Sequence, residues 1–286
     1  MSDPLTETVY VSDLDGTLLG PDARLSSFSR SVLERLLEAG VPVTVASARG
    51  IVSMQEILGD LPLRLPVVCF NGAFVSDLRT GQHLEVFDLG DTAAEAWALA
   101  RSLDLDPIVS TTDGTRDDGV YVRSSHNPGV AAYVADRVRA RDPRLRLVED
   151  PGRALTHRVT CLTVIDRRER LVPWYQALEE TLGKRIRPHL FDDLYTEGWA
   201  WVTVHAGEAT KDRAVRSVLQ SAGLSNHRLV AFGDQDNDLP LLRAADHAVA
   251  TANASAAVLA TADETIGHHG DDAVARWLLQ HVGGRL

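Results

Sequence analysis

Cysteine is scarce in this 286-residue sequence, which has only two. A disulfide framework or a cysteine metal site needs more thiols at closer spacing, so neither is expected. Cys69 in PVVCF and Cys161 in RVTCLTVI lie in apolar runs, where a small buried thiol is the usual occupant. Long hydrophobic runs are missing too, since no stretch approaches the roughly 18 apolar residues of a membrane-spanning helix. The opening MSDPLTETVYV lacks the basic-then-apolar layout of a secretory signal, so a soluble, cytoplasmic protein is expected. Positive charge is in deficit, with 29 basic against 40 acidic residues and a formal net charge of −11. Without a basic footprint, polymeric nucleic acid is an unlikely partner. A small anionic substrate remains open, because one divalent cation and a few basic side chains can invert the local field.

What is present is an ordinary globular composition, 44% hydrophobic and 24% charged, long enough for about two domains. Strand-like and helix-like patterns alternate through the first part of the chain. Thr8 to Ser12 predicts a strand, and Ser27 to Ala39 a helix with its apolar stripe on Val32, Leu33, Leu36 and Leu37. Val41 to Ala46 and Pro66 to Phe70 predict further strands around a helix over Gly50 to Leu58. This rhythm implies a doubly wound α/β fold with a parallel sheet. A hairpin around Arg79 to Gly81 precedes a segment of different character, with paired strands and longer loops. That segment is expected to be an inserted α+β domain over 88–206, leaving 1–87 and 207–286 as the core. In the core, the alternation resumes with a helix from Thr210 and a strand over Leu229 to Phe232.

Two acidic turns follow predicted strands. The first is Asp13-Leu14-Asp15-Gly16-Thr17, where two carboxylates at i and i+2 can share one side of a bend. Such a pair repels unless a cation lies between them or one holds a proton, which suits a Mg²⁺ site or an aspartate nucleophile with an acid/base partner. The plain alternative is an Asp-Gly turn in solvent. The second is Gly233-Asp234-Gln235-Asp236-Asn237-Asp238, whose alternative is an acidic helix start favoured by the dipole. Two such turns at the ends of strands of one parallel sheet converge on the same edge, where ligands bind. Ser47 and the backbone N–H of Ala48 also follow a strand, although Ser47 taken alone reads first as a helix cap. Lys211 opens a helix, where a cation opposes the dipole and invites a functional reason.

Asp13-x-Asp15-Gly16-Thr17, then Ser47, then Lys211, then Gly233-Asp234-x-x-Asn237-Asp238 resembles the four ordered motifs of the haloacid dehalogenase superfamily of phosphohydrolases. Asn71-Gly72-Ala73, Asn253-Ala254 and the inserted segment are similar to its Cof-type branch, which carries a large α+β cap. The resemblance implies that Asp13 is the nucleophile and that Asp15 protonates the leaving alcohol and then activates water. It implies a Mg²⁺ site of the Asp13 carboxylate, the Asp15 carbonyl and the Asp234 carboxylate, with Asp238 as an outer ligand or a partner orienting Lys211. It implies phosphoryl binding by Ser47, Ala48, Lys211 and Asn237. Ser47 stands where threonine is commoner and Ala48 where glycine is, changes that touch the phosphate cradle rather than the reaction class. Arg49 matches a basic position and is expected to form a structural ion pair.

The implied function is Mg²⁺-dependent phosphomonoester hydrolysis of a small phosphorylated metabolite, sugar phosphates first and pyridoxal phosphate next, by a monomer or homodimer. A non-catalytic sugar-phosphate sensor is the alternative, and it has no need of both Asp13 and Asp15. Substrate choice is expected to reside in the inserted domain, with Arg123, His126, Arg158 and the segment around Trp199 as candidates. The pair His268-His269 is expected not to bind metal, the five tryptophans to be core or interface, and ADRVRARDPRLR to be a solvated helix face.

Overall fold

The computed structural model describes residues 7–125, 127–193 and 198–282. The chain opens with β1 (Thr8–Ser12), α1 (Ser27–Glu38), β2 (Val43–Val45), α2 (Ile51–Leu58), β3 (Val67–Cys69), β4 (Phe74–Ser76) and β5 (His83–Val86). The middle runs through α3 (Thr92–Ser102), β6 (Ile108–Thr112), β7 (Asp117–Arg123), α4 (Pro128–Arg139), β8 (Leu145–Val148), β9 (Arg158–Arg167), α5 (Arg168–Leu182), β10 (Ile186–Asp192) and β11 (Trp199–Ala206). It closes with α6 (Lys211–Ser221), β12 (Arg228–Gly233), α7 (Leu239–Ala244), β13 (His247–Ala250), α8 (Ala256–Thr261), β14 (Glu264–Thr265) and α9 (Ala273–His281). These elements form two compact units, one of 1–84 with 210–286 and one of 85–209. Among the described residues, no helix is long and apolar enough to cross a membrane.

The first unit is built on a parallel sheet in the order β14-β13-β12-β1-β2. Its inner strands are apolar and covered on both faces, as parallel sheets require. The helices follow from local signals. Ser26 caps α1 by accepting from the Ser29 N–H, and the predicted stripe of Val32, Leu33, Leu36 and Leu37 is buried. The expected third parallel strand, β3, joins this sheet through one bridge, Ala46 to Val68, and pairs antiparallel with β4. Next to that bridge the Thr44 hydroxyl, at 2.6 Å, donates to the Pro66 carbonyl, a side-chain bond at the start of β3. β1 has β2 on one side and β12 on the other. The strand order therefore reverses at β1, and the carboxyl ends of β1 and β12 flank the crevice that this reversal creates.

The second unit is a mostly antiparallel sheet in the order β10-β11-β9-β6-β7-β8, with β7 and β8 parallel. Alternate residues along each strand separate into two cores. Val109, Leu162, Val164, Val202 and Val204 pack with α3 and α5 around the fully buried Trp174. Ile108, Val120, Val122 and Ile165 pack with Val130 of α4 and Trp199. The tryptophans thus fall in packed positions, with Trp277 buried in the first unit and Trp97 and Trp201 partly buried. The arginine-rich stretch departs from a solvated helix face at its end. Asp136 and Arg139 pair at the surface as expected, but Arg144 and Arg137 close on Asp142, and Arg144 also reaches Asp117. Hydrogen bonding from Arg144 holds the Asp142 carboxyl down at about 2. Asp142 lies past the helix end, in the connection to β8, so a helical pattern does not govern it.

Candidate active site

Asp13 leaves β1 with its backbone N–H bonded to the Phe232 carbonyl of β12, which ties the first acidic turn to the strand that carries the second. The chain then turns tightly over 14–18, and Gly16 has φ +74°. A Cβ there would lie 2.2 Å from Asp234 Oδ2, so only glycine permits the two acidic turns to approach this closely. Thr17 Oγ1 donates to Asp234 Oδ1 at 3.0 Å. The Gly16 carbonyl accepts from Thr251 Oγ1 and Asn253 Nδ2, both in the loop after β13.

Lys211 is the centre of the arrangement. Its side chain is fully buried, and Nζ donates to Asp13 Oδ1 at 2.7 Å and to Asp238 Oδ1 at 2.6 Å. Asp238 uses its other oxygen to accept the N–H groups of Asp234 and Gln235, which fixes the turn after β12. Three carboxylates and one ammonium are thereby buried together, a net charge of −2 if all are ionised. Burial first, and then Asp238, push the Asp13 carboxyl up to about 7, against the pull of Lys211. Burial works against charge on Lys211, but Asp13 and Asp238 outweigh it and hold the ammonium above its ordinary range. Asp234 is raised as well, by burial and by Asp238. Burial is the first cause at Asp13 and Asp234 and neighbouring negative charge the second, whereas at Lys211 the two carboxylates overcome burial.

One carboxylate oxygen from each of Asp13, Asp234 and Asp238 lies within 4.8 Å of the others. A hard, oxygen-only donor set with surplus negative charge fits Mg²⁺.

The remaining predicted residues lie in loops that follow the strands of the first unit. Ser47 is buried at the end of β2, with its Oγ accepting from the Arg49 N–H. Ala48 beside it is exposed. Asn237 Nδ2 donates to Asn71 Oδ1 at 2.9 Å. Asp15 stands apart from the buried trio: its carboxylate is half-exposed and held by Arg49, whose Nε and Nη2 each lie 2.6 Å from one of its oxygens. The ion pair expected of Arg49 is present, and its partner is the acid/base candidate. His269 Nδ1 meets the Leu19 carbonyl, and neither His268 nor His269 joins a metal-ligating group among the described residues.

In the second unit, Arg123 pairs with Asp106, Arg158 pairs with Asp88, and Trp199 is buried beneath the Arg167 guanidinium. His126 lies outside the described residues. Sequence reasoning missed the brace from Thr251 and Asn253 onto Gly16 and the link from Asn71 to Asn237. The available signal was position, since each of these loops follows a strand of the first unit.

The model of the family described as haloacid dehalogenase-like hydrolase matches residues 10–278. The chain belongs to that family. The resemblance drawn from the four ordered motifs is thereby confirmed. The pyridoxal phosphate phosphatase of Escherichia coli (strain K12) is 27% identical over 296 residues, covering 97% of this chain and 100% of that protein. The 5-amino-6-(5-phospho-D-ribitylamino)uracil phosphatase of Bacillus subtilis (strain 168) is 30% identical over 284 residues, covering 94% and 95%. In fold, the haloacid dehalogenase-like hydrolase solved from Bacteroides thetaiotaomicron superposes with a TM-score of 0.73 at 22% identity, over 96% of this chain and 98% of that one. Members of this hydrolase family that resemble the chain over nearly its whole length are thus named phosphatases.

Proposed function

We propose that this protein is a Mg²⁺-dependent phosphomonoester hydrolase that acts through an aspartyl-phosphate on Asp13. The observation that carries the reading is the buried Lys211 held between Asp13 and Asp238, with Asp234 alongside and Asp15 outside. Asp13, Asp234 and the Asp15 carbonyl would hold Mg²⁺, with Asp238 behind them. When bound, the ion neutralises phosphoryl charge and lets the dianionic ester approach a carboxylate.

The residues of the chain then divide the work. Lys211, Ser47, the Ala48 N–H and Asn237 bind the phosphoryl oxygens and hold the phosphorus in line with Asp13. The Asp13 carboxylate forms the new O–P bond as the ester P–O bond breaks, and Asp15 gives its proton to the departing alkoxide. Asp15 then takes a proton from water, whose oxygen attacks phosphorus, freeing Asp13 and inorganic phosphate. Both Asp15 oxygens accept from Arg49, so placing a proton on either one for transfer to the leaving group requires that bond to give way.

The substrate we propose is a small phosphorylated metabolite, with sugar phosphates first in order. Heterocyclic phosphomonoesters come next, a choice supported by the relatives named above for pyridoxal phosphate and a ribitylamino-uracil phosphate. The second unit is proposed as the cap that selects the leaving group.

Phosphate release from an aryl phosphate and a panel of sugar and heterocyclic phosphates, with Mg²⁺ and with chelator, tests this reading. Asp13→Asn is expected to lower turnover by at least about 10³-fold, as loss of a covalent nucleophile does. Turnover that survives either Asp13→Asn or chelation would overturn the mechanism. A wild type inert on every ester that still binds vanadate with Mg²⁺ would favour a sensor.

A further inference from the structure

Among the described residues, the turn after β3 is the one place where three consecutive residues have positive φ. Phe70, Asn71 and Gly72 have φ of +47°, +56° and +107°, so two residues with side chains and one glycine in succession occupy the left-handed side of φ space. Non-glycine residues adopt that conformation at a cost and persist in it only where the surroundings hold them. Here the surroundings are three loops of the first unit. The Asn71 N–H donates to the Ser47 carbonyl at 2.9 Å, and the Phe70 N–H to the Arg49 carbonyl at 3.0 Å. A Cβ added at Gly50 would meet the Phe70 ring at 2.7 Å, so the ring lies directly on that backbone. A Cβ added at Gly72 would lie 2.4 Å from the Thr210 carbonyl group, so the turn presses against the residue that precedes Lys211. On the third side, Asn71 Oδ1 accepts from Asn237 Nδ2.

Each of these three loops supplies one phosphoryl-binding group of the proposed function: Ser47, Lys211 and Asn237. The first acidic turn reaches the same three loops from the other side, through Asp13 to Lys211, Asp15 to Arg49 and Thr17 to Asp234. Two of the contacts are made by backbone and close approach, and they set where the Ser47 loop and the start of α6 stand. The contact to Asn237 is made by a side chain alone. It fixes the rotamer of Asn237 by occupying one of its amide donors. Asparagine suits this position, because its short amide tolerates left-handed φ better than other side chains and still reaches the neighbouring loop.

We propose that Asn71 is a positioning residue for phosphoryl binding, acting through Asn237, and that the left-handed turn exists to hold it between the three loops. This inference rests on the proposed phosphatase reading. Strain held in place by three surrounding loops is the mark of a site where geometry is worth more than local stability.

The test is a double-mutant cycle of Asn71→Gly and Asn237→Ala, read by KM and kcat on an aryl phosphate and by inhibition with inorganic phosphate, all with Mg²⁺. Glycine is at ease at this φ, so Asn71→Gly removes the amide and keeps the turn. The thermal midpoint of Asn71→Gly should therefore equal or exceed that of wild type. KM and the phosphate inhibition constant should rise about fivefold, the equivalent of one net hydrogen bond, while kcat changes less. The double variant should be no weaker than Asn237→Ala alone, because the path through Asn237 is already lost. Unchanged KM in Asn71→Gly, or effects of the two substitutions that multiply independently, would overturn the proposal. An inert wild type would instead remove the phosphatase reading itself, so the two failures are distinguishable.

Discussion

The two units bury polar groups in opposite ways. The first takes four ionisable side chains, Asp13, Asp234, Asp238 and Lys211, out of solvent at one point and leaves them unbalanced in charge. The second pairs Arg158 with Asp88, Arg123 with Asp106 and Arg185 with Glu95 at its surface, and its buried titratable groups include the neutral His205. Burial lowers the His205 imidazole to about 4, although the Thr160 carbonyl lies at hydrogen-bond distance. A protein interior tolerates concentrated charge only where something repays it. In the first unit the repayment proposed is chemistry, and in the second, where no reaction is proposed, the carboxylates taken out of solvent, Asp166 and Asp142, each meet an arginine.

The sharpest way to break this contrast is to unbalance the first unit further. Lys211→Met leaves three buried carboxylates without their ammonium, and unfolding by urea at pH 8 should show a loss of about 3–5 kcal/mol. A variant as stable as wild type would mean that the carboxylates take up protons at little cost and that the excess charge is not held in the fold.

A smaller effect is expected from pH in the second unit. His205 has an ordinary value of 6.5 and a folded value of about 4, so the unfolded chain binds the proton more tightly. Its contribution is complete above pH 6.5 and is lost as pH falls from 6.5 towards 4, by about 3 kcal/mol in all. Stability curves of wild type and His205→Gln over that range check it, since the substitution should remove this part of the slope. The smallest effect belongs to the rim. Arg158→Ala should change stability by less than about 1 kcal/mol, because the Arg158–Asp88 pair is solvent-exposed. A larger loss in thermal melts would place that pair among the structural elements of the second unit.

The order of elements was legible in the sequence because hydrophobic period and turn residues are local signals. The stripe of α1, the short strands of the parallel sheet and the alternation along β9 and β11 can each be read within about a dozen residues. The acidic turns were legible for a related reason, since a strand end followed by Asp-rich punctuation names its own place at the sheet edge. What joins those turns was not legible. Arg49 meets Asp15 across 34 residues, Asn71 meets Asn237 across 166, and Asn253 meets Gly16 across 237. Such pairings depend on how distant loops close on one another, and no periodicity encodes them. The same holds for Asp142, whose two arginine partners are chosen by the end of α4 rather than by its helical face.

The bond between Lys211 and Asp13 spans 198 residues. Likewise, β1 finds its partner β12 only after the whole second unit has intervened. During synthesis, at roughly 5–20 residues per second, Asp13 waits on the order of ten seconds or more before its ammonium leaves the ribosome. For that interval β1 has one exposed edge and the first acidic turn has no counter-charge, while the second unit is already whole and free to fold. The interruption of the sheet therefore imposes a sequence in time. The second unit can fold before the Asp13–Lys211 bond can form, and a nascent chain halted before residue 211 holds β1 without β12, an open strand edge of the kind that invites aggregation.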